Sequence, residues 1–366
     1  MKKSNIYGYF TGLACIVMAA LFLCPTSATA ANIVSTKKTY TYARMVSDIQ
    51  KLTARYPQLI TSEIIGTSAY GRNLYALRLT IPDSWVTTSS ATATPAIDTT
   101  LTAEAENYVP AATDPKPVVL INGAHHGREW ISSTLCMTML EQYAKAVTAN
   151  STIDGTRVRT VLSGCDLVFV PMVNPDGVTI SQSGLKHFSK SARKRLKKYN
   201  RGSSKFTRWK ANGQGIDLNR QYDAGWKIVK VWSSTRPSYA NYKGKRPLQA
   251  PEAAAMATYT KRLQPKATLA YHSVGKLIYW GYELKGSAKT RALKQARALR
   301  KITGYKIMPT AKKQGAGYTD WVSNKLKLPA FTLEIGSGRG GKRSDLSEFS
   351  AIWKQNRSVP FYLISL

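Results

Sequence analysis

The chain has 366 residues, 53 Lys and Arg against 20 Asp and Glu, a formal net charge of +33 and four cysteines. A positive excess of that size favours contact with polyanions, but no zinc-finger spacing, RNA-binding signature or basic-aromatic strand pattern accompanies it, so nothing supports specific nucleic-acid reading. Cys15 and Cys24 fall in an N-terminal leader, and the remaining Cys136 and Cys165 are too few to build a disulfide scaffold; their pairing is left open.

The leader comes first. Lys2 and Lys3 precede an apolar run from Leu13 to Leu23, and Ser27-Ala28-Thr29-Ala30 is a small-residue cleavage pattern, so residues 1–30 read as a secretory signal peptide. The run is short for a membrane span. A secreted or cell-wall-associated protein with no transmembrane anchor after processing is expected, residues 31–366 forming one domain. From Tyr40 to Tyr56, Met45, Val46, Ile49 and Leu52 recur at helical spacing. Ile64–Ser68 and Asn73–Leu79 predict two edge strands joined at Tyr70-Gly71-Arg72. Residues 84–114 are rich in Ser, Thr and Ala and read as a surface insertion.

Pro117 to Trp130 is the central stretch: an apolar strand running into Asn-Gly-Ala-His-His-Gly-Arg-Glu-Trp. A short apolar run of this kind fits a buried parallel strand. Leu135, Met139, Tyr143 and Val147 then predict a helix over 131–147. Asp166–Val173 is the next strand, with Asn174-Pro175-Asp176-Gly177 read as a turn. Residues 185–210 carry eleven Lys and Arg without one acid, either a solvated loop face or a patch for anionic polymers. A helix over 251–262, strands over 268–271 and 277–280, a basic helix over 287–302, a strand over 329–335 and a last helix over 345–357 complete the series. Such alternation predicts an α/β fold, a mixed, mainly parallel central sheet with helices on both faces.

Two of only four histidines stand together just past the central strand. His126 and Glu129, three apart in a turn, can both face one centre, and His272, ending the 268–271 strand, is the candidate third ligand of a zinc site that keeps a position for water. His125 is a rival for His126, while His187 lies in the basic tract. Glu334 puts a carboxylate into an apolar strand, where burial without a partner is costly. It either pairs with an arginine or serves as a proton acceptor beside a bound water.

In the order they occur, Gly66-Thr67-Ser68 with Gly71-Arg72, His126-Gly127-Arg128-Glu129-Trp130, Asn174-Pro175-Asp176-Gly177, Trp209-Lys210-Ala211-Asn212, Gly215-Ile216-Asp217-Leu218-Asn219-Arg220, Asn241-Tyr242-Lys243-Gly244, Tyr271-His272-Ser273, Gly317-Tyr318-Thr319-Asp320-Trp321 and Phe331-Thr332-Leu333-Glu334 resemble the motifs of the zinc metallocarboxypeptidase superfamily, the carboxypeptidase A-like enzymes. Within it the chain is most similar to bacterial γ-D-glutamyl-meso-diaminopimelate peptidases. The two-His, one-Glu zinc set of carboxypeptidase A is itself a standard example.

The resemblance implies one Zn2+ per chain on His126, Glu129 and His272, with Glu334 as general base. It implies that Asn219 and Arg220 grip a terminal carboxylate, that Arg128 contacts substrate, and that Lys210 or Arg208 polarises the scissile carbonyl. The mobile tyrosine of the digestive enzymes aligns near Lys312, where none stands, and Tyr318 is the nearest substitute. Thr319 falls at the specificity position, where cell-wall members often carry a basic residue. The Gly338–Arg343 loop is atypical and could add positive charge. The leading expectation is an exported zinc metallopeptidase acting on peptidoglycan stem peptides at γ-D-Glu–diamino acid bonds, its partners a muropeptide or peptide substrate and, through the basic surface, anionic cell-wall polymers. The alternatives are a secreted metallocarboxypeptidase acting on ordinary peptide C-termini, and a non-enzymatic wall-binding protein.

Overall fold

The computed structural model describes residues 31–86, 115–229, 234–310, 315–338 and 345–366. The leader, most of the Ser/Thr/Ala-rich insertion, Lys312 and most of the Gly338–Arg343 loop therefore lie outside the described residues.

One sheet organises the described chain. Its strands are β1 (Ile60–Thr67), β2 (Asn73–Leu79), β3 (Val118–Gly123), β4 (Asp166–Val170), β5 (Ala267–His272), β6 (Leu277–Trp280), β7 (Lys306–Ile307) and β8 (Ala330–Glu334), in the spatial order β1-β2-β4-β3-β5-β8-β6-β7. The four central strands β4, β3, β5 and β8 are mutually parallel, β1 and β2 pair antiparallel to their neighbours, and β6 pairs antiparallel with β8 but parallel with β7. Strand β3 is buried along its whole length, which is why it reads as an unbroken apolar run.

Its side chains alternate between two cores. Val119 and Ile121 join the layer beneath helices α1 (Tyr42–Arg55), α2 (Ile131–Thr148) and α7 (Gly286–Thr303), while Val118 and Leu120 join the layer under α6 (Pro251–Leu263). The sheet is covered on both faces, as the alternation of elements predicts.

Helix α2 leaves the metal-binding turn and is buried nearly all round, well beyond the stripe that its spacing predicts. Glu141 sits on it fully buried, its two carboxylate oxygens accepting the backbone N–H groups of Ile33 (2.7 Å) and Val34 (2.9 Å), with Lys145 3.5 Å away. Charge-assisted bonds to backbone amides are what make such a burial tolerable. Cys136 and Cys165 are buried free thiols.

Three expectations need correction. Asn174-Pro175-Asp176-Gly177 is not a turn between strands but the start of helix α4 (Pro175–Ser183): the Asn174 side chain caps it by accepting from Gly177 N at 2.8 Å, and Pro175 takes the first helical position. β4 accordingly ends at Val170 rather than Val173. The basic tract is not a loop face. Lys190–Tyr199 form helix α5, capped by Ser189 and anchored by Ala192 and Leu196 in a third, small core with Phe188, Phe206 and Trp209. The predicted C-terminal helix opens as a short 3-10 turn, Leu346–Glu348, and the chain then adds a separate helix, Val359–Ile364, whose Pro360 is tolerated in a first turn.

Candidate metal centre

Parallel strands bring their carboxyl ends to one edge of the sheet, the position where ligands of open α/β sheets bind. Glu334 closes β8 and His272 closes β5, and the two are register neighbours. On the other side of β5, Gly123 of β3 pairs with Tyr271, so the turn after β3 starts beside His272. That turn carries His126 and Glu129.

The turn is held by backbone. A Cβ on Gly127 would lie 2.2 Å from the carbonyl oxygen of Gly177, so only glycine lets α4 approach so closely. Gly127 N donates to Lys210 O at 3.0 Å, Ser181 Oγ donates to Gly127 O at 2.8 Å, and Asn174 Nδ2 donates to His125 O at 3.0 Å, with Lys210 O and Ala211 O each 3.2 Å away. Asn174 thus ties the metal turn to the Lys210 segment while capping α4.

His126, Glu129 and His272 converge. Nδ1 of His126 is 3.0 Å from Glu129 Oε1, Nδ1 of His272 is 3.0 Å from Glu129 Oε2, and the two Nδ1 atoms are 3.2 Å apart. Four groups at zinc-ligand distances in a tetrahedron would lie about 3.3 Å from one another. All three side chains are buried, and the donor set is the nitrogen and oxygen mixture that zinc takes in hydrolytic sites.

The protonation pattern fits as well. Nε2 of His126 faces Asp217 Oδ1 at 3.1 Å; donating there fixes the tautomer and leaves Nδ1 a lone pair aimed at the centre. Burial opposes ionisation of Asp217, yet the contact with His126, with Arg220 and Lys210 nearby, holds it well below the usual carboxylate range. Two unprotonated ring nitrogens and a carboxylate facing one another repel unless a cation sits between them. The residues therefore fit one Zn2+.

His125 is not part of that set. It is wholly buried behind it, Nε2 3.0 Å from the Tyr222 hydroxyl and its ring stacked on His272 at 5.6 Å. His187 is exposed on the basic tract.

The family comparison agrees with the geometry. Residues 45–358 match the zinc carboxypeptidase family. The chain belongs to that family. It is 30% identical over 324 residues to γ-D-glutamyl-L-diamino acid endopeptidase 1 of Lysinibacillus sphaericus, covering 88% of this chain and 72% of the relative. It is 24% identical over 311 residues to human carboxypeptidase B, covering 80% of this chain and 62% of the relative, so it spans less than two thirds of that longer protein. Among solved structures, thrombin-activatable fibrinolysis inhibitor superposes with a TM-score of 0.68 at 18% identity, over 92% of this chain and 77% of the other. Carboxypeptidase A of Helicoverpa armigera gives 0.61 at 17% identity, again over 92% and 77%. These likenesses show the fold.

The other residues of this zinc carboxypeptidase family member take distinct places. Lys210, not Arg208, faces the centre: its Nζ is 3.6 Å from Glu129 Oε1, whereas Arg208 is exposed. Arg128 is half-buried with Nε 3.9 Å from the same oxygen. Glu334 is pushed up to about 8 by burial and then by the Glu129 charge, with Lys210, His126 and Arg128 pulling the other way. Asn219 accepts from Tyr318 N at 3.0 Å through Oδ1, and Arg220 Nη1 donates to Asn219 O at 2.7 Å, leaving both side chains partly open. Thr319 Oγ1 is 2.7 Å from Oγ1 of Thr332, two residues before Glu334 on the same strand face.

Tyr318 is the correction. Its ring is fully buried against His125, Tyr222 and Trp321, and its hydroxyl lies 2.9 Å from that of Thr260. It forms the floor under the site and cannot act as a mobile substrate contact. Sequence reasoning also assigned no role to Asp217 or Asn174. Their motifs were visible, but the carbonyls and ring nitrogen that they serve come from distant segments.

Proposed function

We propose that this zinc peptidase is a metallocarboxypeptidase that cleaves the last amide bond of a chain bearing a free terminal carboxylate. The observation that carries the reading is the placement of Asn219 and Arg220: a partly open guanidinium and amide, on the 3-10 turn capped by Asp217, the residue that contacts the zinc ligand His126. A guanidinium fork is suited to a carboxylate. Zn2+ held by the three donors supplies Lewis acidity and lowers the pKa of water. Glu334 takes the proton of the attacking water and returns it to the leaving amine. Lys210, aimed at the centre, stabilises negative charge growing on the carbonyl oxygen.

A second reading has its own support. The Lysinibacillus relative is named for γ-D-glutamyl-L-diamino acid bonds, and the free carboxylate of a diamino acid would suit the same Asn219–Arg220 pair. The sequence places this cell-wall reading first; the geometry carries the terminal-carboxylate reading further, because no side chain specific for a diamino acid stands at Thr319.

The test is digestion of purified muropeptides beside linear peptides and their C-terminally amidated forms, with products identified by mass spectrometry. Amidation is expected to lower kcat/KM on linear peptides by about a hundredfold, since a charged hydrogen-bonded pair is lost, and Arg220→Ala is expected to remove most of that discrimination. Cleavage confined to muropeptides would replace the first reading with the second, and equal cleavage of free and amidated ends would remove the assigned role of Arg220.

A further inference from the structure

Helix α5 packs six cations, Lys190, Arg193, Lys194, Arg195, Lys197 and Lys198, into ten residues, all exposed. None of them forms an ion pair with a carboxylate among the described residues. The helix is mounted rigidly, for Ala192 and Leu196 belong to the third core together with Trp209. Beside it lies a cavity of about 550 Å³ lined by Tyr70, Arg195, Tyr199, Gln214, Lys245 and Gln249 among others, with no acid in its wall. Ile216 also lines it, so the loop that forms this wall runs directly into Asp217, Asn219 and Arg220.

The lining narrows the ligand. Two cations, two amides and phenol hydroxyls in one wall suit a chain that carries both hydroxyls and negative charges. Base stacking needs open ring faces, and here no lining ring is exposed: Tyr70 and Tyr199 are half-buried and Tyr242 is buried. We propose that the cleft between α5 and the 213–216 loop is a docking site for an acidic polysaccharide, which holds the protein on its polymer with the metal centre facing along the same wall. The site does not rest on the proposed peptidase specificity, because none of the six lining residues named above is among the metal donors or the substrate-gripping groups.

The test is equilibrium binding of a labelled polygalacturonate oligomer, read by fluorescence anisotropy. A neutral dextran oligomer and a single-stranded oligonucleotide of equal charge are compared with it. Arg195→Glu with Lys245→Glu is set against Lys294→Glu with Arg297→Glu, an equal charge change on the exposed face of α7. The cleft pair is expected to weaken polygalacturonate binding at least about tenfold, the α7 pair less than about threefold, and Gln214→Ala about threefold without any change of charge. Equal losses from the two charge reversals, tighter binding of the oligonucleotide, or equal binding of dextran would each overturn the proposal. Thermal midpoints and peptide turnover are measured in parallel. A folded protein that binds the polymer but cleaves no peptide would count against the proposed function and leave this site standing.

Discussion

Glu334 and His272 end adjacent parallel strands, yet they answer to different tests. Glu334 moves a proton and His272 holds the ion, so Glu334→Gln should lower turnover by about 10²–10⁴-fold while zinc per chain stays constant. His272→Ala should lower both, read by metal analysis alongside the rate. Full turnover in the glutamine variant would remove the base. Asp217 gives a third outcome: Asp217→Asn leaves every ligand in place but weakens the grip on the His126 tautomer, and zinc affinity should fall about 10–100-fold by competition with a chelator. An unchanged affinity would mean that the 3.1 Å contact to His126 does not orient the ring. At this scale the sequence names the ligands well, because histidine is scarce and ligating side chains must follow strand ends. It does not name the groups behind them. Asp217 lies 91 positions from the ring that it serves, and Tyr318, read as a cleft residue from its neighbourhood in sequence, faces the floor.

Among the elements, α4 holds no ligand and yet fixes the position of those that do. Its cap, Asn174, donates to carbonyls of the metal turn and of the Lys210 segment. Asn174→Ala strands those carbonyls and a helix N–H together, so it should cost about 2–4 kcal/mol in chemical denaturation and lower zinc affinity as well. A loss below about 0.5 kcal/mol would show that water replaces the side chain. Most elements are legible because their apolar patterns are clean, an unbroken run in β3 and a helical period in α1. The misreadings of α4 and α5 have separate physical causes. Asn-Pro and Asp-Gly signal both turns and helix starts, and the contact that decides between them here is Gly177 against Gly127, a tertiary fact. In α5 the apolar stripe is only Ala192 and Leu196, too thin to stand out among six cations.

The molecule as a whole carries a buried acid whose titration is felt far from the metal. Glu252 accepts from Ala69 N (3.0 Å) and Asn212 Nδ2 (2.8 Å), and burial pushes it up to about 7 from an ordinary 4.5. Between those two values the native state keeps a proton that the unfolded chain has released, so stability should fall as pH rises from about 4.5 to 7 and level off above, by an amount on the order of 3 kcal/mol. Glu252→Gln imitates the protonated form and should be flatter across that window, measured as unfolding free energy at several pH values. Parallel profiles for the two proteins would show that Glu252 titrates normally.

Glu141 gives the short stretch around Ile33 and Val34 a weight that its length conceals. Its two oxygens are met by the amides of Ile33 and Val34, deep against the helix that descends from the metal turn. Trimming the chain to Ser35 would abandon an anion inside an apolar layer, leaving it to Lys145 and the more distant Arg55. A removal that looks like tidying a frayed end would therefore act as a lesion in the heart of the protein.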